Sequence, residues 1–213
     1  FIMYRLIEVC KNWNIPIVED AAESLGSKYK NNYTGSMGSL GVFSFNGNKI
    51  ITSGGGGAII TNSIKFAKKA KHISTTAKKP NTFEFYHDQL GYNFRMPNIN
   101  AALAFAQMEQ LEYFISKKRI LAKTYEEYFR KEGIVFRKET TDTRSNYWLM
   151  CIELENLKER NSFLEVSNKN KITTRPIWKL LFKLPMYKDC YRDNQSNASF
   201  LEKRILNIPS SVI

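Results

Sequence analysis

Cysteine, histidine and proline are scarce in this sequence, and glycine is not abundant. Its three cysteines, Cys10, Cys151 and Cys190, are odd in number and far apart, which excludes a disulfide framework and fits no zinc-binding spacing. Free thiols, mostly buried, are expected. The two histidines, His72 and His87, have no metal-ligating partners in the sequence around them; both are read as surface residues and no metal site is expected. Eleven glycines and six prolines are too few for a fibrous repeat or a disordered tract. No apolar run reaches the ~20 residues that a membrane-crossing helix needs. The start, Phe1-Ile2-Met3-Tyr4-Arg5, lacks the basic, apolar and small-residue regions of a signal peptide. A cytoplasmic location with no membrane partner is the expectation.

What is present is a globular composition with excess positive charge. Hydrophobic residues make up 43% and charged residues 24% of 213 positions, enough for a proper core in one large or two modest domains. Lysine and arginine total 32 against 20 acids, a net charge of +12, and such a balance invites a nucleic-acid reading. The basic residues are dispersed, however. Short clusters at Lys68-Lys69-Lys71, Lys78-Lys79 and Lys117-Lys118-Arg119 form neither a long arm nor an aromatic-basic RNA motif. Solvated helix faces explain them, no nucleic-acid partner is expected, and a phosphate-bearing small substrate is the better use of the charge.

Met3, Leu6, Ile7 and Cys10 recur at helical spacing, and Ile15-Pro16-Ile17-Val18, ended by Glu19-Asp20, predicts a buried strand. Val42-Phe43-Ser44-Phe45 and Ala58-Ile59-Ile60-Thr61 predict two more strands, the second followed by a basic helix from Ser63 to Lys71. Alternating strand and helix predicts an α/β sheet. Residues 73–95 have no sustained period and predict a long loop, a kind that is often functional. Pro97 opens a helix running toward Gly133, with Ile99, Leu103, Ala106, Leu111, Phe114 and Ile115 on its buried side.

Beyond Gly133 the pattern changes. Ile134-Val135-Phe136 and the run from Tyr147 to Ile152 are strand-like, a helix starts near Asn156, and Ile172 to Trp178 is extended. A smaller α+β unit therefore begins within the long helix, dividing the chain into residues 1–115 and 116–213. Neither an internal repeat nor a low-complexity tract is present. The chain opens in an uncapped helix and stops at Ser211-Val212-Ile213, directly after extended Asn207-Ile208-Pro209, so a fragment of something longer is expected.

The residues that carry chemistry concentrate between Glu19 and Gly57. They are an acid at a strand's end (Asp20), the glycines Gly35, Gly38 and Gly41, a hydroxyl at Ser44, a lysine at Lys49, and then Gly54 to Gly57. The glycines do not match G-x-G-x-x-G, and the lysine precedes the glycine run, so a nucleotide P-loop is not indicated. The plainer reading of Gly54 to Gly57 is a loop that needs positive φ angles.

Taken together, Val18-Glu19-Asp20-Ala21-Ala22-Glu23-Ser24-Leu25-Gly26 and the stretch from Phe43-Ser44-Phe45-Asn46-Gly47-Asn48-Lys49 through Gly57 closely resemble the pyridoxal-phosphate sugar aminotransferases of the DegT/DnrJ/EryC1/StrS family. Gly91-Tyr92-Asn93-Phe94-Arg95-Met96, followed by Asn100-Ala101-Ala102, resembles that family's second signature. Thr174-Arg175-Pro176-Ile177-Trp178 and Leu206-Asn207-Ile208-Pro209-Ser210 look most like the branch that makes 4-amino sugars for legionaminic acid or bacillosamine. The resemblance therefore runs over nearly the whole chain.

The resemblance implies an α/β architecture, the aminotransferase fold type I. Residues 1–115 would be the remainder of the large mixed-sheet domain that binds pyridoxal 5'-phosphate (PLP), and residues 116–213 a truncated small C-terminal α+β domain. The family's N-terminal portion would be absent, as would a final helix. It also implies a homodimer with shared active sites, and transfer of an amino group, with L-glutamate as donor, to the 4-keto carbon of a UDP-linked deoxysugar. A family dehydratase is the alternative within enzymes, although those relatives replace the Schiff-base lysine that Lys49 supplies. A catalytically silent regulatory or scaffold protein is the alternative from another class.

Residue by residue, the resemblance makes Lys49 the lysine that joins the cofactor aldehyde as a Schiff base, attacking as the neutral amine that burial and nearby cations favour. Asp20 would face the pyridine nitrogen and keep it protonated; its plainer reading is a helix N-cap. Glu23 maps near the ring hydroxyl, where many relatives carry an amide, and an ionised carboxylate there would repel a phenolate. Ser44, five residues before Lys49, would donate to the phosphate, or is simply a strand serine. Asn93 would reach the same phosphate from the other subunit, or is a turn asparagine. Arg95, Arg175 and Trp178 would meet the sugar nucleotide, with ordinary salt bridges and packing as the alternative.

Overall fold

An apolar stripe of Met3, Leu6, Ile7 and Cys10 turns inward along helix α1 (Met3–Asn12), and Met3 is buried. Asn14, at φ 52°, ends the turn, a left-handed stop that asparagine tolerates. The computed structural model describes residues 2–81 and 83–212; Phe1 and Ile213, named in the reading of the chain ends, lie outside the described residues. Two compact units emerge, one of residues 1–115 with 140–148 and the other of residues 116–139 with 149–213. The sequence reading assigned 140–148 to the smaller domain, whereas this stretch groups with the first unit.

In the first unit, β1 (Val18–Asp20), β4 (Leu40–Ser44) and β5 (Gly57–Ile60) form a sheet in the order β1-β4-β5. β1 runs parallel to β4 and β5 runs antiparallel to it. The expected buried strand at residues 15–18 is corrected: β1 starts only at Val18, and Ile15 and Val18 are 56% and 59% exposed, because among the described residues β1 pairs with β4 alone. Strands β2 (Lys28–Tyr29) and β3 (Asn32–Tyr33) make a small antiparallel sheet with β7 (Thr143–Arg144). Helix α2 (Ile64–Ser74) is capped by Ser63, whose side chain accepts from the Phe66 amide, the usual remedy for the open amides of a first turn.

The helix opened by Pro97 is not continuous. α3 (Asn98–Glu109) stops at Gln110, and α4 (Leu111–Lys131) starts at once. The expected buried side holds for Leu111 and Ile115, which pack with Ile51, Leu25, Phe45, Ile50 and half-buried Phe114. It fails for α3, which buries no residue, with Ile99 83% exposed. Burying each of Ile51, Leu111 and Ile115 in this cluster contributes roughly 1.5–3 kcal/mol. Gly26, at φ +80°, approaches so closely that a β-carbon there would sit 2.4 Å from Ile115 Cδ1.

In the second unit, β6 (Val135–Phe136), β8 (Met150–Glu153), β9 (Arg175–Pro176) and β10 (Ile205–Ile208) form an antiparallel sheet ordered β6-β8-β10-β9. Met150 and Ile152 alternate inward along β8 against Leu206 and Ile208. The strand expected from Tyr147 begins only at Met150, since Tyr147 has φ +47°. Only Arg175 and Pro176 of the expected extended run enter the ladder. Helix α5 (Leu157–Lys169) starts at its Asn156 cap, and α6 (Ser196–Glu202) precedes β10. The three thiols are free, but Cys10 and Cys151 are half-buried and Cys190 is exposed, which corrects the expectation of burial. No helix among the described residues is long and apolar enough to cross a membrane.

Candidate active site

The glycine-rich stretch after β3 is shaped by Glu19. Its carboxylate accepts from the backbone amides of Gly35 (2.7 Å), Met37 (2.6 Å) and Gly38 (2.5 Å), so this loop is folded around an anion from its own chain. Gly41 is required for another reason: a β-carbon there would lie 1.8 Å from the Gly35 carbonyl oxygen.

Glu19 and Asp20 alternate along β1. Asp20 is exposed at the carboxyl end of the strand, where its Oδ1 accepts from the Ala22 amide at 3.1 Å; the chain goes on into turns and then β2 rather than into a helix, so the plainer reading as a helix N-cap is corrected to a local turn contact. In the parallel register Asp20 pairs with Val42, and Ser44 lies two residues further along β4. Side chains in strands repeat every two residues, so Asp20, Val42 and Ser44 share one face at the carboxyl edge of the sheet. That edge is where open α/β sheets bind ligands. Ser44 Oγ accepts from the Asn46 amide at 3.3 Å, leaving its proton available to donate.

After β4 the chain makes a turn closed by the Lys49 amide on the Asn46 carbonyl at 3.0 Å. Beyond it Ile51, 1% exposed, is sunk in the core, and Ser53 N–H and Thr52 Oγ1 both donate to the Phe45 carbonyl. The lysine stands between these anchors with a side chain only 12% exposed. Its charged neighbour is the Glu23 carboxylate at 3.6 Å, and its Nζ lies 4.2 Å from the centre of the Trp148 indole. The cationic surroundings expected from sequence are therefore replaced by an acid and an aromatic face. Glu23 itself points at Lys49, with 57% of its side chain exposed.

Trp148 and Asn146 were missed by sequence reasoning. Asn146 is 3% exposed and donates from Nδ2 to the carbonyls of Glu23 and Leu25, both at 3.0 Å. Its amide donates to Ser27 Oγ, and its Oδ1 accepts from the Trp148 amide at 2.9 Å. Trp148 is 8% exposed and donates from its indole N–H to the Asn48 carbonyl at 2.5 Å. The available signal was a Trp and an Asn in the stretch just before a strand, which local periodicity reads as strand start and nothing more.

The loop from Thr75 to Pro97 is ordered by bridges of Thr75 to Asn93 and of Lys78 to His87. His72 Nε2 meets Asp88 Oδ1 at 2.6 Å, and Lys79 approaches the same carboxylate at 3.7 Å. The hydrogen bond with His72 holds the Asp88 carboxyl below its usual range, against an opposing desolvation effect. His72 is thus an anchored residue rather than a free surface one, while His87 is exposed with Nδ1 2.7 Å from the Thr76 carbonyl. Asn93 and Arg95 are both exposed on this loop. Gly91 permits its close path: a β-carbon would come within 2.5 Å of the Ala77 amide.

A cavity of about 1070 Å³ lies beside Gly54 to Gly57, β5, α2 and Phe94 to Pro97. Of the side chains expected to bind cofactor or substrate only Arg95 lines it, along with the glycine run; Lys49, Asp20 and Ser44 do not. Gly54 and Gly56 have φ of +81° and +84°, so the plainer reading of the glycine run applies at these two positions. Arg175 and Trp178 belong to the second unit, on or just after β9, and Trp178 is 62% exposed. No group of three or more metal-ligating side chains occurs among the described residues.

Residues 2–212 match the DegT/DnrJ/EryC1/StrS aminotransferase family, and the chain belongs to that family. GDP-perosamine synthase of Escherichia coli O157:H7 is 36% identical over 208 residues, covering 98% of this chain and 56% of that protein. A UDP-4-amino-4,6-dideoxy-N-acetyl-beta-L-altrosamine transaminase of Campylobacter jejuni is 33% identical over 130 residues, 61% of this chain and 35% of that one. Among solved structures, the Helicobacter pylori aminotransferase PseC superposes with a TM-score of 0.89 at 24% identity, covering 96% of this chain and 57% of that one; the fold is therefore that of these aminotransferases. The chain spans little more than half the length of the first of these relatives.

Proposed function

We propose that the full-length protein is a PLP-dependent, cytoplasmic aminotransferase that moves an amino group from an amino acid, L-glutamate by preference, to the 4-keto carbon of a nucleotide-linked deoxysugar. The observation that carries this reading is the half-enclosed Lys49 amine, 12% exposed, on a turn directly beyond Ser44 in a chain of this family. The donor set fits the cofactor: an amine for its aldehyde, a carboxylate at a strand's end for its ring nitrogen, and a hydroxyl with a free proton for its phosphate. When bound, the cofactor supplies an electron sink for the pair left when a carbon beside nitrogen loses its proton.

The protein's own residues would supply the rest. Asp20 would hold a proton on the ring nitrogen by its negative charge. Ser44 would fix the phosphate, with Asn93 of a second subunit as a further donor. The freed Lys49 amine would take the proton from the donor's carbon and deliver it to the carbon on the other side of the nitrogen, acting as base and then as acid. Arg95, Arg175 and Trp178 would recognise the sugar nucleotide, since arginine suits a pyrophosphate and an aromatic face suits a base or sugar. Glu23, 3.6 Å from Lys49, would act as counter-ion to the lysine rather than as a partner of the ring hydroxyl.

The nucleotide is open to direct comparison, because UDP is the reading from sequence while one relative is named for a GDP sugar. Borohydride treatment of the loaded full-length protein should fix the cofactor to the peptide containing Lys49, and Lys49→Ala should abolish amino transfer to UDP- and GDP-linked 4-keto sugars alike. Labelling of a different lysine, or full activity in Lys49→Ala, would overturn the proposal.

A further inference from the structure

Residues 140–148 group with the first unit, although the chain on both sides of them belongs to the second. The stretch ends in two nearly buried residues, Asn146 at 3% and Trp148 at 8% exposure. Their contacts fall on two loops. Asn146 takes hold of the carbonyls of Glu23 and Leu25, on the turn that follows Asp20. Trp148 takes hold of the Asn48 carbonyl, on the turn that carries Lys49. The link between them is the bond from the Trp148 amide to Asn146 Oδ1 at 2.9 Å.

The indole is thus bonded at its edge to the backbone one residue before Lys49, while its face lies 4.2 Å from the Lys49 ammonium. One rigid ring registers both the root and the tip of a four-carbon side chain that has many rotamers of its own. Cations are drawn to the face of an indole more strongly than to other aromatic rings. Glu23, which supplies the second contact to the ammonium, is itself placed through its backbone by Asn146.

We propose that Trp148, held in place by Asn146, is the positioning residue for Lys49, and that its indole face is the seat of the Lys49 ammonium, both when the lysine is free of cofactor and after it has taken up the proton. The proposal rests on the reading of Lys49 as the lysine of amino transfer. An amine that must serve the two carbons on either side of a nitrogen in succession gains from a fixed resting place, because placement errors of about 1 Å can cost a hundredfold in rate. No covalent step passes through the indole. Its contribution is to limit where Nζ can be.

The test uses cofactor-free, full-length protein whose lysines are converted to ¹³C-dimethyl-lysine with formaldehyde and a hydride reductant. The Lys49 methyl signal is assigned by its loss in Lys49→Arg. A seat on the indole face predicts an upfield ring-current shift in the wild type, a reduced shift in Trp148→Phe, and an ordinary lysine position in Trp148→Leu. In the loaded enzyme, Trp148→Leu should lower kcat about five- to thirtyfold, the range of one desolvated cation–π contact, with KM for the amino donor within about twofold; Trp148→Phe should recover most of the loss. An unshifted Lys49 signal in the wild type, or an unchanged kcat in Trp148→Leu, would overturn the proposal even if Trp148→Leu folds poorly in other respects. Failure of the function itself would show differently: borohydride would not fix the cofactor at Lys49, while the ring-current shift would remain.

Discussion

The Glu19 carboxylate and the Gly35 amide lie 2.7 Å apart across a separation of sixteen residues, and this bond turns a glycine-rich loop into a fixed part of the sheet's edge. Two more amides, those of Met37 and Gly38, donate to the same carboxylate. Glu19→Gln keeps the shape but leaves one acceptor oxygen and turns a donor group toward donors. The expected loss is about 2–4 kcal/mol of unfolding free energy, read from the urea midpoint of the variant. A change below about 0.5 kcal/mol, the size of an ordinary surface substitution, would show that the amides find equivalent partners elsewhere.

Gly41→Ala and Gly47→Ala make a matched pair. The first would drive a β-carbon to 1.8 Å from the Gly35 carbonyl oxygen, while the second has nothing within 4 Å. Gly41→Ala should destabilise by at least about 3 kcal/mol, beyond ordinary overpacking, and Gly47→Ala should stay within about 0.5 kcal/mol. Thermal unfolding of the two variants side by side decides it, and similar melting temperatures would refute the claimed crowding.

Lys118 in the second unit is 6% exposed and donates to the Ser210 carbonyl. Burial pulls its amine down to about 8, below the ~10.4 of a free lysine. Below pH 8 both folded and unfolded chains carry the proton, and the folded state bears the cost of burying the charge. Between pH 8 and about 10.4 the unfolded chain binds more protons, so stability rises with pH through this window. The unfolding free energy of the wild type minus that of Lys118→Met should therefore move in favour of the wild type from pH 8 to 10. A flat difference would mean that the amine titrates normally.

The His72 to Asp88 contact at 2.6 Å ties the end of α2 to the loop that carries Asn93. Because the Asp88 carboxyl is held below its usual value, the contact is intact above the unfolded carboxyl's pKa and is lost as pH falls through the lower, folded one. Asp88→Asn should speed amide exchange at Thr76, whose amide donates to the Tyr92 carbonyl, and at Tyr92, whose amide donates to the Ile73 carbonyl. Protection unchanged in the variant would assign the order of the loop to its backbone bridges alone.

The proposed sharing of sites between subunits has its own test. Full-length Lys49→Ala and Asn93→Asp should each be inactive, the aspartate repelling the phosphate. Random exchange gives mixed dimers that are half the population, each with one doubly defective and one intact site, so activity should return toward about a quarter of wild type. No recovery despite demonstrated exchange would mean that Asn93 serves its own chain.

Periodicity alone revealed β4, β5, α2 and α5, because their apolar spacing and their Ser63 and Asn156 caps are local signals. Glu19 was visible only as a neighbour of Asp20, since its partners are sixteen to nineteen residues away. Asn146 was out of reach: its amide meets Ser27 across 119 residues, and nothing in the stretch around it marks it as belonging to the first unit. The apolar residues of α3 taught the opposite lesson. Spacing predicted a side that Ile99 and Leu103 share, but spacing carries no information about whether anything packs on it.

The bond between Asn146 and Ser27 also sets an order in time. The first unit is interrupted in sequence, so Trp148 reaches Asn48 only after the residues between them have been made. At about 5–20 residues per second, synthesis of a stretch on the order of a hundred residues takes roughly 5–20 s. During that interval the turns bearing Glu23 and Lys49 are on the ribosome without the residues that grip them. A nascent chain halted before residue 140 would hold Lys49 without Trp148, so the surroundings of this lysine are completed only by a segment made after the second unit has begun.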